Sequence, residues 1–129
     1  MFTIAQIETA HTQVKSGADF PNYIRTLKKL GVKSFETWAV DSHTVYFGNQ
    51  GFSVQSAPQY EPLPMASQTN LGLFKGYLKS HQNGETNYFS FCKHCAETGI
   101  EKWVVNLETM TCVYYDKSGS EMLIETIPG

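Results

Sequence analysis

The chain is poor in charge, poor in cysteine and without any long apolar run. Only 17% of its 129 residues are charged, and Lys plus Arg (10) fall short of Asp plus Glu (12), leaving a net charge of −2. A protein that neutralises a phosphate backbone concentrates Lys and Arg on one face, so this balance, with a pI near 6.0, excludes a nucleic-acid partner. No stretch of about 18 consecutive apolar residues occurs, which excludes a membrane-spanning helix and a membrane partner. The opening Met1-Phe2-Thr3-Ile4 lacks the basic start and long apolar stretch of a secretory signal. Three cysteines are an odd number and too few for a disulfide framework. They fit a reducing compartment, and the expected location is the cytoplasm. Catalytic signatures are missing too: there is no Gly-x-Ser-x-Gly elbow, phosphate-binding glycine loop, dinucleotide fingerprint or His-Glu-x-x-His. No cofactor is implied.

What is present is an internal repeat. Gly31–Gly51 lies on Gly99–Gly119 without a gap at an offset of 68. Gly31 falls on Gly99, Val32 on Ile100, Phe35 on Trp103, Val45-Tyr46-Phe47 on Val113-Tyr114-Tyr115, and Gly51 on Gly119. Four positions are identical, where chance gives about one. The expected organisation is one domain, 1–129, built from two repeats at about 1–56 and 69–127. A loop over 57–68, with Pro58, Pro62 and Pro64, joins them.

Each repeat reads helix, helix, three strands. Ile4, Ile7, His11 and Val14 form one helical stripe, with Thr3 as N-cap and Gly17 as stop. Leu71, Phe74, Leu78 and His81 repeat the same spacing at an offset of 67, ending at Asn83-Gly84. A second helix in the first half follows Asp19, with Pro21 in its first turn and Gly31 as the left-handed end. Its counterpart spans about 86–98, ahead of Gly99. Strands are expected at 32–40, 44–47 and about 52–55, with a turn at Asp41-Ser42-His43, and again at 100–107, 111–116 and 122–127. The fold class is therefore α+β: two pseudo-symmetric helix-helix-three-strand repeats with antiparallel sheet.

Alternation places Trp103, Val105 and Leu107 on one face of their strand, yet Trp38, Val40 and Val104 make the other face apolar as well. Tyr46, Tyr114 and Cys112 share one face of theirs, opposite Val45, Phe47, Val113 and Tyr115. A half-exposed antiparallel sheet would be polar outside. Both faces are thus expected to be covered, one by helices and the other by the second repeat, a subunit or a ligand.

Cys92-Lys93-His94-Cys95 has the spacing of a metal-chelating or redox pair, and Cys112 with a histidine could complete four ligands. The repeat favours core packing instead: Cys92 falls on Ile24, Cys95 on Leu27 and Cys112 on Thr44, while His94 falls on Thr26, off that stripe. No metal is expected. His81 occupies the stripe position that Val14 holds in the first half, and so is the candidate acid/base, an imidazole in a partly apolar setting. The structural alternative is a helix-end histidine bonding a neighbouring turn. His11 reads as core edge, and His43 beside Asp41 as turn chemistry. Trp38, Tyr46 and Tyr114 are the candidate binding residues, the tyrosines being amphipathic and able to turn a hydroxyl to a ligand.

Several stretches carry a family resemblance: Leu27-Lys28-Lys29-Leu30-Gly31-Val32, His43-Thr44-Val45-Tyr46-Phe47-Gly48, Leu78-Lys79-Ser80-His81-Gln82-Asn83-Gly84, Phe91-Cys92, Lys102-Trp103-Val104-Val105, Met110-Thr111-Cys112-Val113-Tyr114-Tyr115-Asp116 and Ile127-Pro128. With these the chain resembles the YdfO-like family of small uncharacterised bacterial proteins, sometimes labelled phage envelope protein. The resemblance implies an α+β domain of this size and no activity, so it assigns no catalytic residue.

From the residues themselves, the leading expectation is a binding or interaction module acting through its aromatic strand face, as a homodimer or on an unknown small molecule or protein. The alternative is a small enzyme using His81 as acid/base at a groove between the repeats, with Tyr88 or Asp116 nearby. The third is a metal protein on Cys92, Cys95, Cys112 and a histidine.

Overall fold

The computed structural model describes residues 2–14 and 19–127. Gly17, expected to stop the first helix, and Pro128, which closes the family-like stretches, lie outside the described residues. Helix α1, Ile4–His11, begins at a capping box in which the Thr3 hydroxyl accepts from the Gln6 N–H (3.2 Å) and the Gln6 side chain accepts from the Thr3 N–H (2.9 Å). Helix α2, Phe20–Leu30, has Pro21 in its first turn and ends on Gly31 at φ 100°, whose N–H donates to the Leu27 and Lys28 carbonyls. Strands β1 (Ser34–Trp38), β2 (Thr44–Phe47) and β3 (Ser53–Gln55) follow. The second half supplies α3 (Leu71–Gln82), α4 (Tyr88–Glu97), β4 (Ile100–Asn106), β5 (Thr111–Asp116) and β6 (Glu121–Thr126). Asn70 and Asn87 cap α3 and α4, each accepting a backbone N–H through its side-chain oxygen.

Two boundaries depart from expectation for visible reasons. The expected strand 32–40 contracts to β1 because the chain turns at Ala39 rather than Asp41. Ser42 sits at φ 59° and its N–H donates to the Trp38 carbonyl (2.8 Å). The Asp41 carboxylate accepts from the His43 N–H (3.0 Å) and lies 2.6 Å from the ring Nδ1. Helix α1 ends at His11, so Val14 lies beyond it, tied by its N–H to the His11 carbonyl at 3.0 Å.

All six strands form one antiparallel sheet in the order β3-β2-β1-β4-β5-β6. The protein is α+β, as its sequence implies. The two three-stranded meanders meet edge to edge at β1 and β4, where Glu36 pairs with Val104, Phe35 with Val105 and Thr37 with Trp103. The offset of 68 equates Glu36 with Val104, Phe35 with Trp103 and Thr37 with Val105, so exchanging the halves returns the same register. The helical parts match more loosely: α1 has 8 residues against 12 in α3.

This junction removes one of the three covers expected for the far face. The second half extends the sheet instead of covering its far face. All four helices bury their apolar stripes on one face, where Ile7, Ile24, Leu27, Phe74, Phe91 and Cys95 join Phe35, Tyr46, Trp103, Val105, Cys112 and Tyr114 in a single core. On the outer face, Trp38, Val45, Phe47, Lys102, Val104, Val113, Tyr115 and Ile124 are all at least partly exposed.

Candidate functional site

The helices do not fill the space over the sheet. A cavity of about 500 Å³ remains between the inner face and the helices of both halves. Its floor is Phe35, Thr37, Thr44 and Tyr46 from the first meander and Trp103, Cys112, Tyr114 and Glu125 from the second. Its walls are Ile7, Glu8 and His11 of α1, Phe20 and Tyr23 of α2, Leu78, His81 and Gln82 of α3, and Tyr88 and Phe91 of α4.

The lining pairs across the two halves. At the repeat offsets His11 corresponds to Leu78, Val14 to His81, Phe20 to Tyr88, Tyr23 to Phe91, Phe35 to Trp103, Thr44 to Cys112 and Tyr46 to Tyr114, and all fourteen residues line the cavity. In most pairs one member is polar and the other apolar, so each half contributes hydrogen-bonding groups where its counterpart supplies a plain surface.

Rings hold one another in place. His11 sits edge-on between Tyr23 and Tyr88, with centroids 5.2 Å away in each case. His81 stacks on Phe91 at 4.5 Å, and Phe91 in turn meets Trp103 at 5.5 Å. The hydroxyls pair locally: Ser42 with Tyr88 (2.7 Å), Thr37 with Thr44 (2.8 Å) and Tyr23 with Tyr46 (3.4 Å). Such pairing satisfies buried polar atoms and presents hydroxyl groups in a mostly apolar wall.

Burial sets the protonation states. It lowers the pKa of His11, and also that of His81, where the Thr86 hydrogen bond opposes the shift and His94 adds to it. Burial raises the phenols of Tyr23, Tyr46, Tyr88 and Tyr114, so they stay protonated. The Cys112 thiol is pushed up to about 12 by burial, which removes it as a nucleophile near neutral pH.

Of the residues singled out in the sequence, His81, Tyr46 and Tyr114 come together in this cavity. Trp38 does not: it lies on the outer face, stacked on His43 at 4.6 Å, with the Lys102 Nζ 5.4 Å from its ring. Tyr88 joins His81 in the lining. Asp116 sits instead in a β5–β6 turn, where its carboxylate accepts from the Ser118 and Ser120 N–H groups. His81 also shows its structural side, with Nδ1 3.3 Å from the Thr86 hydroxyl in the turn after α3.

The cysteines pack as the repeat suggests. Cys92, Cys95 and Cys112 are free and buried, and burial pushes the Cys92 thiol up to about 11. Among the described residues no three His, Cys, Asp or Glu side chains gather as metal ligands. His94 turns away from the thiols and stacks on Tyr77 at 3.8 Å.

Sequence reasoning passed over His11, Tyr23 and Thr44 as cavity residues. The available signal was the repeat itself, since each replaces, or is replaced by, a residue of different polarity at an equivalent inward position.

The protein is an α+β domain with a ligand-sized space over the inner face of its sheet, lined from both halves. Residues 8–126 match the family described as protein of unknown function (DUF1398), and the chain belongs to that family. It is similar to the uncharacterized proteins Mb2035 of Mycobacterium bovis and Rv2012 of Mycobacterium tuberculosis, each 25% identical over 97 residues. The match covers 74% of this chain and spans 59% of the length of each relative. Among the described residues no helix is long and apolar enough to cross a membrane.

Proposed function

We propose that the chain is a small-molecule binding domain that takes a compact, largely apolar ligand between two duplicated halves. The observation that carries this reading is the cavity of about 500 Å³, lined by equivalent residues of both halves. That volume lies within the range of about 300–1,000 Å³ typical of small-molecule sites, and apolar walls with a few convergent polar groups are their usual make-up. Binding ranks ahead of catalysis because the group at His81 Nδ1 is a threonine hydroxyl rather than an orienting carboxylate, and the cavity cysteine is a protonated thiol. His81 is therefore a binding residue, and an acid/base role is the secondary reading of the same cavity. The free buried thiols favour a cytoplasmic location, and the family-like stretches favour the YdfO-like group.

The test is equilibrium unfolding with para-tert-butylphenol as a neutral probe. A ligand that binds only the folded state at ten times its Kd stabilises by about 1.4 kcal/mol. Val14→Trp, which places a bulkier side chain in the lining, should abolish that gain. Concentration-independent stability in the wild type would contradict the proposal.

A second reading concerns the outer face. Val45, Glu36, Val104, Val113 and Ile124 are successive cross-strand partners, which makes one nearly continuous apolar row across five strands. Ile124 is 57% exposed. A second copy can meet this row with the same row, as an isologous homodimer interface requires. Ile124→Lys should shift a dimeric wild type to monomer in native mass spectrometry, and a monomeric wild type at tens of micromolar would refute this reading.

A further inference from the structure

The charge around the cavity has one sign. Among the described residues no lysine or arginine lines it, whereas two glutamates do: Glu8 from α1 and Glu125 from β6. They come from opposite halves of the chain. Among the described residues the ion pairs are Asp41–His43 and Glu36–Lys102, so neither cavity glutamate pairs with a described cation. Glu125 is held by a neutral group, the Gln82 side-chain amide, at 2.7 Å. It stands opposite Cys112 in the β5–β6 register, on the helix-facing side of the sheet and half-buried.

Both carboxylates are felt at equivalent places. Burial is the main cause of the raised phenols of Tyr46 and Tyr114; Glu8 adds to the first and Glu125 to the second, at positions that match at the offset of 68. The two histidines in the wall do not offset this field, since burial favours their neutral forms. Aromatic rings make up much of the remaining lining, including Tyr23, Phe35, Tyr88, Phe91 and Trp103. Ring faces carry negative electrostatic potential and attract cations, more strongly when water is excluded.

From this juxtaposition, among the described residues, of aromatic rings with two glutamates and no fixed positive charge, we infer that the ligand is an organic cation, a quaternary or protonated amine carrying apolar substituents. The inference rests on the cavity being a ligand site. An anionic ligand, such as a carboxylate or phosphate, meets two like charges and no fixed positive charge among the described lining residues. A neutral ligand gains the apolar burial alone.

Three probes of one shape separate these cases. Para-hydroxyphenyltrimethylammonium, para-tert-butylphenol and para-hydroxybenzenesulfonate share a phenol ring and a tetrahedral substituent, and differ in the charge of that substituent. Isothermal titration of the full chain at low salt and neutral pH should give the order cation, neutral, anion, with at least a tenfold step from neutral to cation. The cation-to-neutral ratio should shrink as salt is raised, because exposed Glu8 is screened. It should fall toward one in Glu8→Gln with Glu125→Gln. Should the substituted chain fail to fold, the wild-type order and its salt dependence still decide. Equal affinity for cation and neutral probe, or tighter binding of the sulfonate, would overturn the cation inference while leaving the cavity reading intact. No binding by any of the three would overturn both.

Discussion

Gly31 and Gly99 occupy the same place in the two halves, each closing a helix before the first strand of its meander, and they should respond very differently to alanine. Gly31 sits at φ 100° with open space where a Cβ would stand. Gly99 sits at φ 79°, and a Cβ there would meet the Gln68 carbonyl oxygen at 2.7 Å and the Thr69 Cα at 2.9 Å. Holding an L-residue in the left-handed region costs about 1–2 kcal/mol, offset by roughly 0.4–1 kcal/mol from the stiffer unfolded chain. Gly31→Ala should therefore lose about 1 kcal/mol. Gly99→Ala adds a backbone clash, and overpacking of that kind costs about 1–3 kcal/mol more, for a total of about 2–4 kcal/mol. The neighbour cannot swing away as a flexible side-chain end could, because it is the backbone leading into α3, tied by the Asn70 N–H to the Thr98 carbonyl at 2.9 Å. For a chain of 129 residues the unfolding entropy is about 0.27 kcal/mol per degree, or roughly 4 °C per kcal/mol. Calorimetry should thus show Tm falling by about 4 °C for Gly31→Ala and by about 7–15 °C for Gly99→Ala. Equal losses at the two sites, or a larger loss at Gly31, would refute the packing argument at the entry to α3.

Acid should weaken the fold above the carboxylate range. The folded pKa of His11 and of His81 lies below 6.5, so the unfolded chain binds more protons than the folded one as pH falls below that value. Stability should then drop by up to about 1.4 kcal/mol per pH unit for each histidine, and a urea series from pH 7.5 to 5.5 reads the slope. His11→Phe should flatten it; an unchanged slope would contradict the burial argument. The three buried thiols should ignore Ellman's reagent at pH 8 in the native protein and react once the chain unfolds. Fast native labelling would contradict their placement. Phe74 is fully buried against Phe91 and Tyr114, so Phe74→Ala should lose about 3–5 kcal/mol in urea unfolding.

Much of this architecture is legible in the match of Gly31–Gly51 to Gly99–Gly119. Gly31 and Gly99 mark helix ends in both halves, and the alternation in Thr111–Asp116 assigns Cys112 and Tyr114 to the buried side. The same comparison identifies Cys92 and Cys95 as core by their match to Ile24 and Leu27. The edge-to-edge meeting of β1 and β4 was not legible. Strands that are apolar on both faces predict cover on each, and nothing local to Glu36 or Val104 announces that they pair with one another. The cavity was legible only in parts. The sequence singles out Tyr46, Tyr114 and His81 but groups Trp38 with the tyrosines, although it points to the other face, because alternation fixes faces within a strand and not the side on which the helices pack. His11 looked like core edge because a half-buried histidine on a helical stripe has the same pattern whether it borders packed side chains or open space.

The chain has two tryptophans, one in the cavity floor and one on the outer face, which gives the central claim its most direct measurement. The indole N–H signals of Trp103 and Trp38 can be followed in a proton–nitrogen correlation spectrum during titration with para-hydroxyphenyltrimethylammonium. A ligand-binding cavity between the halves predicts a saturable shift of the Trp103 signal with that of Trp38 unmoved. Trp38 alone responding, or neither signal moving with this probe or with para-tert-butylphenol, would contradict it.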